Sequence, residues 1–254
     1  MASSQIKTEP KLRRELTAIY RLSAYFGWMD SIFNHISVRI PCEAGEEQSY
    51  LVNPEGYLSG EMSPDLLLKV NTSGKVLDQP GVTFIPAGFT IHSAIHVSRE
   101  DATCIVHNHA MAGMVVSAMK EGLLPLTQIS MEFYNRIAYH DFGGIELELS
   151  NQDRITQDLG NHKAMIMRNH GLLTVGETVA EAFYYMYYLH ESCEIQMRTL
   201  SATKNPLIPS PEICEHTASQ YDQYHQGDVQ DLWAAMLRML DREFPNWDQP
   251  KTSC

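Results

Sequence analysis

The sequence predicts an α/β layered fold, and three observations carry that expectation. Short β-type segments alternate along the chain with amphipathic helical ones. Two early β-type segments flank a polar loop, which argues for a hairpin and against a purely parallel sheet. With 254 residues, 44% of them hydrophobic, the chain can bury one large core and suits one domain better than two small ones.

Pro10 to Tyr25 sets Leu12, Leu16, Ile19 and Tyr20 at helical spacing, behind Thr8 as a candidate cap and with Pro10 in the first turn. HISVRI and SYLVNP form the hairpin strands around the acidic loop PCEAGEEQ, NPEGYLSG turns the chain twice, and KVNTSGKVLDQPG reads as strand, Ser-Gly turn and second strand. FTIHSAIHVSRE is helical, with Ile91, Ala94, Ile95 and Ser98 on one face and His92 and His96 four apart on a neighbouring one. ATCIVHNHA is too brief for a helix and reads as an interior strand. On a strand, alternate side chains share a face, so His107 and His109 point one way and Asn108 the other.

AMAGMVVSAMKEG continues as a helix to near Gly122, and AYHDFGGIELEL returns to β-type sequence with a Gly-Gly turn. NQDRITQDLGN is helical, with Ile155 and Leu159 inward and Asn151 as a cap, and KAMIMRNHG repeats the design of an apolar strand closing on a histidine, His170. Thr178 and Glu181 have capping-box spacing at the start of a further helix. Its apolar face is Val179, Phe183, Met186 and Leu189, and its aromatic run at residues 183–188 suggests an interface. KNPLIPSPE, with three prolines in nine residues, is an extended connector. A last helix over DVQDLWAAMLRMLDREF carries Leu232, Trp233, Met236, Leu237 and Leu240 inward and ends before Pro245. The composition change separates residues 1–204 from 205–254, the latter packing on the same domain or on a neighbouring subunit.

Bulk properties exclude several classes. Acidic residues outnumber basic ones by 31 to 19, and the net charge of -12 repels phosphate backbones, so nucleic-acid binding is not expected. Five cysteines are scattered with no Cys-x-x-Cys pair, which suits reduced thiols in a cytoplasmic protein. The N-terminal stretch lacks the apolar centre of a signal peptide, and no later run is long enough to span a bilayer.

Three histidines at the ends of apolar strands, His107, His109 and His170, are the candidates for chemistry. Neutral imidazole is the commonest ligand for zinc and related ions, and three such ligands with an open position make a catalytic rather than a structural site. A rival pair, His92 with His96, lacks the intervening Glu of a zinc-protease helix. His35, His140, His162 and His190 carry no argument beyond their type and read as structural or solvent-facing.

The motifs VHNHA and RNHGLL, with NHISVR near the start and AYHDFGG between, resemble the class II aldolase/adducin family over about residues 10 to 205. The resemblance implies a three-layer α/β/α domain with a central, mostly antiparallel sheet, commonly a homotetramer with sites between subunits. It also implies a divalent metal, usually Zn2+, on His107, His109 and His170; by their donor chemistry three imidazoles with open positions also accept Fe2+ or Mn2+. Tyr139 falls where the aldolase branch has a proton-donating tyrosine that reaches a neighbouring subunit's site. The departures are informative. Where sugar-phosphate aldolases carry a Ser-Ser-Glu-like stretch, this chain has Pro86, Ala87 and Gly88, and where they offer phosphate a Thr-Gly turn it has Glu55-Gly56. A phosphorylated sugar is therefore disfavoured, and PAGFTIHSAIH is similar to the adducin-like branch.

The expected function is a metal-dependent carbon–carbon lyase, cleaving by retro-aldol or decarboxylation through an enolate, with Tyr139 and His92 as proton-moving groups. Glu132 and Asp141 are candidates to restore the lost carboxylate. The alternatives are a non-enzymatic, adducin-like interaction protein and an iron(II)-dependent oxygenase on the same fold. The partners expected are a small-molecule substrate and copies of the same chain, with no nucleic acid and no membrane.

Overall fold

The computed structural model describes residues 8–28, 31–43, 45–145 and 152–250. In chain order the elements are α1 (Glu9–Tyr25), β1 (His35–Ile40), β2 (Ser49–Val52), β3 (Leu68–Asn71), α2 (Pro86–Ser98), β4 (Cys104–Asn108), α3 (Met111–Ser117), α4 (Gln128–Met131), β5 (Ile137–His140), α5 (Gln152–Leu159), β6 (Ala164–Met167), β7 (Gly171–Gly176), α6 (Val179–Ala202) and α7 (Pro211–Glu243). The strands form one sheet in the order β3-β2-β1-β4-β7-β6-β5. Every pairing is antiparallel except β5 with β6. The alternation of the central strands divides the core into two layers. Val106 and Ile36 pack with Leu16 of α1, Val116 of α3, Phe183 of α6 and Trp233 of α7, whereas Ile105 and Leu173 pack with Ile91 and Ile95 of α2 and Ile155 and Leu159 of α5. This is the three-layer α/β/α arrangement with a mostly antiparallel sheet.

Several local expectations change. Thr8 stands at the cap position of α1, yet its side chain makes no capping bond. The second strand expected after the Ser-Gly turn shrinks to a single bridge between Val70 and Val76. The helix after β4 stops at Ser117, and the chain then turns through Gly122 at φ 69°. The capping box at α6 is displaced by one residue: Thr178 Oγ1 accepts from the Glu181 N–H as expected, but the Glu181 carboxylate reaches back to the N–H of Glu177. The cap proposed at Asn151 and most of the IELEL segment lie outside the described residues.

The C-terminal helix is the largest correction. It starts at Pro211, well before Asp228, with Ser210 Oγ accepting from the Ile213 N–H. Its early turns reach back along α6, where the His225 ring stacks on Tyr185 at 4.8 Å and meets Tyr184 edge-on at 4.5 Å. Phe26, Trp28 and Trp233 engage Phe183 and Tyr187 from other directions. The aromatic run therefore packs largely against α1, α7 and the loop after α1 within this one chain. Among the described residues, no helix is long and apolar enough to cross a membrane.

Candidate metal centre

The register between β1 and β4 sets the site. His35 lies opposite His107 and Ser37 opposite Ile105. Ile105 belongs to the α2–α5 layer, so by alternation His35, Ser37 and His107 project into that layer too. His92 and His96, one helical turn apart on α2, meet them there. His109 follows the end of β4. His170 sits in the turn that joins β6 to β7, and the antiparallel pairing of Asn108 with Leu172 brings that turn beside the end of β4. Asn169, at φ 56°, gives the turn its left-handed residue. A Cβ on Gly171 would collide with the Asn108 carbonyl oxygen and come within 3.1 Å of the His109 ring, so only glycine lets the two segments approach this closely.

The three rings form a nearly equilateral group. Centroids of His107 and His109 are 4.7 Å apart, His107 and His170 4.7 Å, and His109 and His170 4.8 Å. One ligand nitrogen from each lies within 4.8 Å of the others. Tetrahedral zinc with bonds of about 2.1 Å sets its nitrogens about 3.4 Å apart, so the cluster is of the right size. The donor chemistry also fits. His107 Nδ1 is 2.9 Å from the carbonyl oxygen of Leu172, which only accepts, so Nδ1 carries the proton and Nε2 keeps its lone pair. Burial, then the neighbouring His35, His170 and His109, hold His107 well below the usual histidine range. Burial first, then His109 and His140, bring His170 down to about 4. Both rings are thus neutral at pH 7, the form that binds metal.

His35, set aside in the sequence reading, belongs to this cluster. Its ring stacks on His107 at 4.6 Å, and its Nδ1 lies 2.9 Å from His92 Nε2. It also explains Gly88, because a Cβ there would sit 2.7 Å from the His35 Cγ. The imidazole occupies the space beside residue 88, which the family resemblance matched to the acidic residue of the sugar-phosphate aldolases. The signal was present in the spacing: His35-x-Ser37 on β1 has the same period of two as His107-x-His109. Asn34 was missed as well. It is buried, its Oδ1 accepts from the His109 N–H at 3.4 Å, and its Nδ2 finds no hydrogen-bond partner among the described residues.

The other candidates lie elsewhere. His92 bonds to His35, whose ring in turn stacks on His107. The Tyr139 hydroxyl accepts from the Leu123 N–H at 3.1 Å while Arg168 lies 4.3 Å over its ring. Glu132 is buried beside His225, 3.5 Å from its Nδ1, in a separate cavity also lined by Tyr185 and Tyr221. Asp141 lines an open concavity with Lys120, Phe142, Arg168 and Asn169, next to His170. His140 pairs with Asp158 at 2.7 Å, and His190 packs on Trp28 at 5.2 Å. Beside Gly88, a hollow of about 20 Å³ is walled by Val52, Phe84, Ile85 and Phe89, with His35, Asn53 and His92 as polar members and no lysine or arginine among the described residues.

Comparison with known proteins agrees with this architecture. A candidate class 2 aldolase protein of Caulobacter vibrioides is 43% identical over 95% of this chain and 93% of its own length. Alpha-adducin of Rattus norvegicus is 45% identical over 79% of this chain, which spans only 27% of the adducin. Among solved structures, an aldolase II superfamily protein from Pseudomonas syringae superposes with a TM-score of 0.87 at 38% identity, covering 95% of this chain and 96% of that one. L-fuculose 1-phosphate aldolase from Glaciozyma antarctica gives 0.80 at 27% identity, covering 93% and 92%. Residues 14–197 match the family described as Class II Aldolase and Adducin N-terminal domain, and the chain belongs to that family.

Proposed function

We propose that the chain is a divalent-metal-dependent carbon–carbon lyase, of aldolase or decarboxylase type, acting on a non-phosphorylated small carbonyl or carboxylate compound. The observation that carries this reading is the convergence of His107, His109 and His170, with His109 and His170 only partly buried and so reachable by a small molecule. When bound, the cation supplies a Lewis acid for an oxygen of the substrate, and three neutral imidazoles suit zinc first, with iron(II) and manganese(II) as alternatives.

The chain's own groups supply the rest. Asn34 Nδ2, buried and unpaired among the described residues, is a donor for a substrate oxygen. Lys120 and Arg168, around the concavity beside His170, suit a carboxylate. Tyr139 moves a proton in the site of a neighbouring subunit of a homotetramer. A phosphate dianion is disfavoured by Glu55 at the turn and by the apolar wall around Gly88.

The test is an assay of metal-loaded protein against matched non-phosphorylated and phosphorylated hydroxy-ketones and against 2-oxo acids, reading released aldehyde or carbon dioxide. Turnover confined to non-phosphorylated compounds, and lost in His107→Ala, is expected; turnover on the phosphorylated series alone contradicts the reading. The 45% identity to alpha-adducin favours a second reading, an assembly module without catalysis. Protein purified without metal and inactive on every compound would support it.

A further inference from the structure

Behind the triad runs a closed chain of buried polar contacts that ends on a backbone carbonyl. His96 Nδ1 is 2.7 Å from the Ala102 carbonyl oxygen, His96 Nε2 is 2.8 Å from Ser37 Oγ, Ser37 Oγ is 2.6 Å from His92 Nδ1, and His92 Nε2 is 2.9 Å from His35 Nδ1. Every member is buried. A buried imidazole with only neutral partners favours its neutral form, with one N–H per ring.

Those facts allow one direction only. A carbonyl oxygen cannot donate, so the His96 proton is on Nδ1 and its Nε2 is an acceptor. Ser37 must spend its single hydroxyl proton on that acceptor, and its oxygen therefore receives from His92 Nδ1–H. His92 Nε2 is then bare and receives from His35 Nδ1–H. The chain ends with His35 Nε2 unprotonated, on a ring stacked 4.6 Å from His107 and bordering the hollow beside Gly88.

We infer that Ser37, His92 and His96 are positioning residues that lock His35 in its Nδ1–H tautomer, making His35 Nε2 a fixed hydrogen-bond acceptor at the edge of the metal triad. In the lyase reading, on which only this functional sense rests, His35 stands in for the missing acidic residue as the partner of a substrate hydroxyl. A carboxylate or phosphate oxygen, having no proton to give, would be rejected there. His92, with both ring nitrogens engaged by Ser37 and His35, acts by positioning His35.

The experiment is neutron diffraction from deuterium-exchanged crystals of the full chain near neutral pH, without substrate. Deuterons are expected on His96 Nδ1, on Ser37 Oγ toward His96, on His92 Nδ1 and on His35 Nδ1, with none on His35 Nε2. A deuteron on His35 Nε2 with Nδ1 bare overturns the proposal. Ser37→Ala removes the one group that transmits the direction, so the His35 deuteron should divide between its two nitrogens; an unchanged Nδ1 deuteron overturns the role of the relay. Because neither readout uses turnover or substrate, a failed lyase assay leaves this result standing, and the reverse also holds.

Discussion

His35 and Gly88 share one space: the imidazole of β1 lies where a side chain on the first turn of α2 would begin, with only 2.7 Å between the His35 Cγ and a Cβ built on Gly88. A side chain at position 88 and the imidazole of His35 therefore exclude each other. His35 cannot retreat easily, since it is buried between His107 and His92.

Gly88→Ala should therefore destabilise the fold by about 1–2 kcal/mol, overpacking of about 1–3 kcal/mol outweighing up to about 1 kcal/mol of gained helix propensity. In a His35→Ala background the same change should cost at least about 1 kcal/mol less, because the obstruction is gone. Urea denaturation of the four proteins measures the coupling. Additive effects would mean that the two residues do not compete.

Gly171→Ala should be harsher, because the new methyl meets the Asn108 carbonyl, a backbone atom, as well as the His109 ring. A loss of about 3 kcal/mol is expected, at the upper end of overpacking, with weaker metal retention as His109 is pushed aside. Calorimetry and metal analysis check both. A stable variant with full metal content would contradict the packing described for the β4–β7 seam.

Acid should destabilise the metal-free protein earlier than carboxylate titration explains. His35, His92, His96, His107 and His170 all titrate below the ordinary 6.5 in the fold, His170 at about 4 and His96 at about 3. The unfolded chain takes up protons from about pH 6.5 while the fold resists. Stability is accordingly complete above that pH and falls below it, each histidine adding a slope of about 1.4 kcal/mol per pH unit until its folded pKa is passed. Urea midpoints at pH 7.5, 6.5, 5.5 and 5.0 should drop steadily over the last three. A flat profile would show that these rings accept protons as freely as exposed ones.

Trp233→Ala tests whether α7 is integral to the core. The indole is 6% exposed and packs 5.6 Å from Phe183. Truncation should cost about 3–5 kcal/mol and keep a single cooperative transition. A loss below about 1 kcal/mol, or two separate transitions, would make the helix an appendage.

What was legible in the sequence was local. Alternation set His107 and His109 on one face, the repeat of an apolar strand closing on histidine marked His170, and Ser-Pro-Glu at residues 210–212 is a helix start that the proline-rich surroundings obscured. What was not legible depended on pairing between distant segments. Sheet direction does not follow from period-two patterns, and it entered only through the family resemblance. His35 acquires its place from the β1–β4 register and the docking of α2, neither of which composition reveals. The aromatic run at 183–188 was read as an interface because the early turns of α7, which carry its partner His225, are too polar to announce a helix.

The central claim is that His107, His109 and His170 together hold one divalent ion. Elemental analysis of the purified protein and of His107→Ala, His109→Ala and His170→Ala tests it most directly. The expected result is close to one zinc, iron or manganese per chain in the parent protein and its loss in all three variants, each still folded. Metal-free parent protein, or a variant lacking any one of these imidazoles that keeps its metal, would contradict the account.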